Sequence, residues 1–231
     1  MKLRFLGLAA VFAAGAFLLM SFNTSGENLR EREFAARFAA MDTKLKAEET
    51  FGAYDVDPKH SYIGFRIVHM GLAEVVGSFR DFSGTVNYDS KDVAKSSVNF
   101  TAKVTSVDTG VAPRDNHLRT ADFFEVEKYP EMTFKSTKVV KTGDKLEVTG
   151  DFTLKGVTKQ ITIPFTINGM MKDQKGAVKM GISAQTAINR QDYNIKWGNK
   201  LPDGTLALSD MVKIDLQLEA GMKPKQEAVK E

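Results

Sequence analysis

Three histidines, His60, His69 and His117, make up the whole imidazole complement of the chain, and there is no cysteine. Three imidazoles could hold a zinc ion and leave a fourth position open. None stands at helical i, i+4 spacing with another, so hydrogen bonding at the rim of a fold is the preferred reading and no metal is expected. Asp57, His60 and Ser61 bring together the residue types of nucleophilic catalysis. Neither a nucleophile elbow nor an oxyanion-hole motif accompanies them, so no catalytic residue is assigned. Three arginines are the other candidates: Arg114, Arg119 and Arg190. A guanidinium fork suits the oxygens of a phosphate or carbonyl head group. The alternative is ion pairing with Asp115, Asp122 and Asp192. His69 and His117 join the arginines as candidates for meeting a ligand head group.

Arg114, Asp115, His117, Arg119 and Asp122 fall in one stretch, Asp108 to Ser136, where the flanking alternation of apolar and polar residues stops. Pro113 sits where the first turn of a short helix would begin, and Pro130 closes the stretch before the next strand. The expectation is a crossover with one polar helix. It joins two sets of antiparallel strands and covers one end of what they enclose. Phe123 and Phe124 would dock the helix, with one of them able to touch a ligand at the mouth. Trp197, in a polar loop from Asn194 to Gly204, fits a loop anchor or a lid equally well.

On both sides of the crossover the sequence has the two-residue period of strands. Ile63, Phe65 and Ile67 alternate with polar or small residues, and so do Val98, Phe100, Ala102 and Val104. Further groups fall at 76–88, 132–139, 146–154, 161–167, 178–188 and 206–218, with Gly77 and Gly84 expected to mark bends. About eight antiparallel strands with one apolar face each suit a sandwich or a closed barrel, and the barrel is preferred. Pro164 resists, because a closed barrel has no free edge for a residue without an N–H. It requires a bulge or a loosened strand pair. Periodicity alone leaves open whether the inward residues fill a core or line a cavity.

Ahead of the strands, Lys2 and Arg4 precede an apolar run from Phe5 to Met20 and a polar exit from Ser21. This is the layout of a secretory signal. The run is slightly short of the ~20 residues of a membrane span, and a cleaved signal and a retained anchor both stay open. Phe34, Phe38, Met41 and Leu45 then recur at helical spacing, giving an amphipathic helix. It would serve as a spacer, as a contact to a second copy of the chain, or as a segment lying on a membrane. The expected division is 1–22 signal or anchor, 23–53 helical linker, 54–220 barrel and 221–231 loose tail. A net charge of +3 over 231 residues, without a basic cluster, gives no reason to expect nucleic acid as a partner.

Several ordered motifs resemble the YceI-like family of polyisoprenoid-binding periplasmic barrels. They begin with Tyr54, Asp57, His60-Ser61, Ile63, Phe65, His69, Gly71 and Val76-Gly77. They continue with Asp108-Thr109, Arg114-Asp115, His117-Leu118-Arg119, Asp122-Phe123-Phe124 and Tyr129-Pro130, then Gly156-Val157-Thr158-Lys159. A late element reads Arg190-Gln191-Asp192-Tyr193-Asn194, where the family pattern ends in glycine. The resemblance covers Tyr54 to Ala220 and leaves residues 23–53 outside it.

What the resemblance implies is an eight-stranded lipocalin-like barrel exported to the periplasm. It would bind or carry a long isoprenoid or quinone-like lipid, with no reaction catalysed and no cofactor beyond that lipid. Ile63, Phe65, Ile67, Phe100, Ala102, Phe134, Phe152, Phe165, Ile182 and Leu216 would line the cavity. The competing expectation is a structural or stress-related interaction protein, with a filled barrel and a partner bound through the Phe34–Leu45 helix.

Overall fold

The computed structural model describes residue 45, residues 47–143 and residues 145–223. The apolar leader, nearly all of the amphipathic helix and the tail beyond Lys223 lie outside the described residues. One helical turn, α1 (Ala47–Thr50), leads directly into β1 (Gly52–Val56), so the strands begin within the segment expected to be linker. The strands that follow are β2 (Tyr62–His69), β3 (Ala73–Phe79), β4 (Phe82–Tyr88), β5 (Ser97–Lys103) and the short β6 (Val107–Asp108). After helix α2 (Ala112–Arg119) come β7 (Glu131–Thr142), β8 (Lys145–Leu154), β9 (Val157–Lys172), β10 (Val178–Asn189) and β11 (Leu208–Met222). The last strand thus includes Gly221 and Met222, which were expected in the tail.

These segments close into an eight-stranded antiparallel barrel. β1 and β2 lie end to end along β11, and β4 and β3 lie end to end beside them. β5 and β6 continue the same pattern, pairing β4 and β3 respectively. The circuit then runs β5–β7–β8–β9–β10–β11 and returns to β1. Sequence neighbours are therefore wall neighbours throughout, and the α2 crossover is a long excursion between two adjacent strands of one meander rather than a bridge between two sets.

Three interruptions sit side by side in this wall. Pro58 lies in the first, where Asp57 accepts the N–H of Lys59 at 3.0 Å. At the second, Arg80 and Asp81 donate their N–H groups to the Ser106 hydroxyl at 3.1 and 3.0 Å. Ser106 lies in the third and donates to the Lys103 carbonyl at 2.6 Å. One serine thus satisfies the backbone that the broken ladder leaves unpaired. The ladder breaks there, whereas Gly77 and Gly84 lie within β3 and β4. A methyl group at Gly77 would meet Phe65 Cζ at 2.3 Å, and one at Gly84 would meet Phe100 Cδ2 at 3.1 Å. Both glycines make room for a neighbouring ring.

Pro164 falls where the β9–β10 ladder stops. Pairing runs from Val178↔Lys172 to Ala184↔Phe165, with a bulge at Asn168, and goes no further. On its other side Pro164 still pairs with Glu147 of β8. The loosened strand pair that the proline requires is present. The 3-10 turn Arg190–Tyr193 packs into that part of the wall, with Tyr193 buried edge-on against Phe152.

Candidate functional site: an apolar cavity with one polar end

The barrel is hollow. One cavity of about 580 Å³ runs along it, lined by inward side chains of β2 to β5 and the long strands β7 to β11. At the end away from α2 it stops against a packed cluster that includes Tyr54, Val86, Met170, Val178, Met180 and Ala220. At the other end it reaches His69, Thr109, Pro113, Arg114, His117 and Trp197. The walls between are almost wholly aliphatic and aromatic, so the polarity of the space is concentrated at the α2 end.

Nine of the ten residues expected to line a cavity do so: Ile63, Phe65, Ile67, Phe100, Phe134, Phe152, Phe165, Ile182 and Leu216. Ala102 does not. It is fully buried between its cross-strand partners Phe82 and Met132, whose larger side chains close it off from the lumen. Phe79, Leu118, Phe123, Phe124, Ile195 and Leu208 also line the space. Their strand or helix periodicity marked several of them as apolar, but only the fold brings the crossover and the loop after β10 to the same mouth.

The expected head-group residues separate into two kinds. His69, Arg114, His117 and Arg190 reach the cavity, and Arg119 does not. Arg119 donates to the carbonyls of Thr105 and Val107 at 2.9 Å each and to Asn116 Oδ1 at 3.0 Å. Its fork rivets α2 to the β5–β6 wall. Arg190 is only 3% exposed, and its five N–H donors are all engaged. Nε donates to the Ser209 carbonyl at 2.9 Å, and Nη1 to the carbonyls of Ile195 (2.8 Å) and Trp197. Nη2 donates to the Leu208 carbonyl and to Asp210 Oδ1, both at 3.2 Å. Burial lowers the Arg190 pKa and Asp210 opposes that shift. Arg190 therefore pins the loop that carries Trp197 and has no donor left for a ligand.

Arg114 differs. Its Nε and Nη2 donate to the hydroxyl and carbonyl of Thr109 at 2.8 and 3.0 Å. Among the described residues Nη1 makes no hydrogen bond. Buried Asp115 accepts from both the N–H and the hydroxyl of Thr109, which fixes the loop that orients Arg114. His117 Nε2 lies 2.9 Å from Asp122 Oδ2, and its ring packs edge-on against Phe123 and Trp197. None of the three arginines pairs with the aspartate expected for it: Asp115 holds Thr109, Asp122 holds His117, and Asp192 pairs with Lys159 at 3.3 Å.

The histidines do not converge. His60 lies at the β1–β2 break, where Nδ1 is 2.9 Å from Asp57 Oδ2. Asp57, His60 and Glu219 present ligand atoms within 4.8 Å of one another. Lys179 already sits 3.5 Å from Glu219 and supplies the positive charge there.

The chain matches the YceI-like domain family over residues 54–220. It is 46% identical over 142 residues to Protein YceI of Escherichia coli O157:H7, covering 62% of this chain and 74% of that one. Among solved structures it resembles Burkholderia cenocepacia BcnA with a TM-score of 0.61 and 28% identity, covering 71% of this chain and 98% of that one. A polyisoprenoid-binding domain from Saccharophagus degradans shares the fold at a TM-score of 0.57 and 17% identity, covering 74% of this chain and 98% of that one.

Proposed function

The chain belongs to the YceI-like family, and from that premise and the hollow barrel we propose that it binds and carries a long-chain isoprenoid or quinone-like lipid without catalysing a reaction on it. The observation that carries this reading is the cavity itself. Some 580 Å³ of space with almost wholly apolar walls is unfavourable to leave to solvent. A guest that fills the space takes those walls out of contact with water and buries its own chain at ~25 cal/mol per Å².

Size and polarity narrow the guest. A water-sized group takes ~15–30 Å³ of such space, so the cavity has room for about 20 to 40 carbon atoms, or about four to eight isoprene units. The chain would run toward Met180 and Leu218. A head group that accepts hydrogen bonds would stay at the α2 end, facing Arg114 Nη1 and His69. The polyisoprenoid ligand named for the Saccharophagus degradans domain is of this class. Delivery to the periplasm through the leader belongs to the same proposal.

Organic extraction of the purified protein followed by mass spectrometry tests the reading. The expected result is an isoprenoid in near-equimolar amount, and a lower melting temperature once it is removed. Protein that is repeatedly ligand-free, melts unchanged after extraction and rejects added isoprenoids would sink the proposal.

A further inference from the structure

The α2 end of the barrel carries large apolar side chains in solvent. Leu72 is 86% exposed at the tip of the β2–β3 hairpin, with Met70 exposed beside it. Val111, at the N-terminus of α2, is exposed too, as are Trp197 and Leu206 on the loop before β11. These residues stand on three separate projections around one opening. The Met70 N–H donates to the Ala207 carbonyl at 3.0 Å, which ties the hairpin to the loop. Trp197 packs on His117 and Phe123, which ties the loop to the crossover. Met70 has φ 53° and Gly71 has φ 71°, and Leu72 donates back to His69 at 3.0 Å. That is a type I′ turn, whose first central position usually takes Asn, Asp or Gly. A methionine there accepts left-handed strain, and the turn presents Met and Leu at its tip.

Two lysines stand on the loop before β11. Lys196 and Lys200 are exposed and form no ion pair among the described residues. Asp203 is the acidic residue in the same loop. Apolar tips with a tryptophan at their base and lysines beside them match the layers of a bilayer surface, where acyl chains meet an anionic headgroup region. A protein partner seated on the same ring would plug the opening that these residues surround.

We propose that this rim docks on anionic lipid bilayers, with Met70, Leu72, Val111 and Leu206 inserted and Lys196 and Lys200 against the headgroups. The inference deepens the lipid-carrier reading and rests on it, because it places the cavity mouth against the phase in which such a ligand dissolves. Docking there would let a chain pass into the barrel without crossing water.

Trp197 is the only tryptophan in the chain and reports on the rim whatever the N-terminal segment does. The full-length protein is titrated with brominated-acyl vesicles of phosphatidylcholine, alone and mixed with phosphatidylglycerol. The expected result is Trp197 quenching that is stronger on the anionic vesicles and weakens with salt. Leu72→Glu with Leu206→Glu should lower vesicle affinity about tenfold or more, since each loses a buried leucine. Lys196→Gln with Lys200→Gln should remove the preference for the anionic lipid without touching the apolar tips. Isoprenoid loading from detergent solution, measured without vesicles, should be unchanged in both variants. If only that loading fails, the carrier reading falls and the docking result stands by itself. Vesicle binding without Trp197 quenching would overturn the docking proposal, as would equal quenching in the leucine variant. So would a lipid-free dimer that the leucine substitutions dissociate while vesicles leave Trp197 unquenched.

Discussion

Ala184→Phe places an aromatic ring in the middle of the cavity. Ala184 lies on β10, opposite Phe165 of β9 and Leu216 of β11, and its methyl group faces the lumen. The substitution adds six carbon atoms, which take about 90–180 Å³ at ~15–30 Å³ each. Set against a cavity of about 580 Å³, the ring removes between about a sixth and a third of the space. A chain that threads the whole barrel would have to stop short of β10's midpoint or leave. The stability cost should stay at or below the ~1–3 kcal/mol of overpacking, because the ring enters empty volume and not a filled core.

The assay is competitive loading with isoprenoids of graded length, read by mass spectrometry of the bound fraction, alongside thermal melting. The wild type should hold the longest chain that fits, and the variant should shift by one or two isoprene units toward shorter ones while melting almost normally. Unchanged length preference with a stable fold would refute the reasoning, because the chain would then not pass Ala184. Ala102→Trp is the matched control. Ala102 is sealed off by Phe82 and Met132, so tryptophan there should damage the fold and say nothing about loading.

Three further outcomes follow from the same geometry. Arg190→Lys keeps the charge but offers three donors where five are used, leaving two acceptors unserved at about 1–3 kcal/mol each; the urea midpoint should fall by about 1 M or more, and an unchanged midpoint would show that the clasp is dispensable. Gly150→Ala would set a methyl 2.5 Å from the Lys135 carbonyl oxygen and 2.6 Å from Phe134 Cζ, so a loss of at least ~1–3 kcal/mol is expected in chemical denaturation, and a neutral effect would mean the β7–β8 wall can give. The hydrogen bond to Asp57, then the charges of Asp57 and Glu219, hold the His60 pKa above its usual 6.5, while the bond to His60 leads in holding Asp57 below its usual 3.8. The His60 contribution is therefore complete below pH 6.5 and is lost as pH rises through the raised value, and the Asp57 contribution is present above pH 3.8 and is lost as pH falls through the lowered one. Asp57→Asn should lower the His60 midpoint in an NMR titration, and an unmoved midpoint would separate the two residues.

The strand walls were legible because one face of each is buried, which forces a strict two-residue period; β10 shows it from Val178 through Ile188. Pro164 was informative for the same reason, since a missing N–H must fall where a ladder ends. Function-bearing detail was harder to read. Arg190 could be read from sequence as a head-group ligand or as the partner of Asp192, and it is neither. Four of its five acceptors are backbone carbonyls, as far along as Leu208 and Ser209, and every residue type supplies a carbonyl. Ala102 and Ala184 have the same period and the same type. Cross-strand neighbours decide which one sees the lumen: Met132 and Phe82 cover the first, while the second faces open space. Trp197 could be placed only once Arg190 fixed its loop against α2.

Why the barrel stays open is a question of where its aromatic rings lie. A lumen lined by Phe65, Phe100 and Phe134 could collapse onto itself and become an ordinary core. Each of these rings instead lies close to an inward glycine on the neighbouring strand. Phe65 pairs in register with Gly77, and Phe100 pairs with Gly84. Phe134 is two pairs along the ladder from Ser136↔Gly150, on the same face, and leans over Gly150. A side chain at any of these glycines would prop the ring upright, across the lumen. Without one, the ring lies down on the backbone and adds thickness to the wall, an arrangement in which aromatic and glycine compensate each other across two strands. The same three glycines look like weak points in a strand when each strand is read alone. They make sense only as halves of pairs, and the space those pairs preserve is the property on which ligand binding depends.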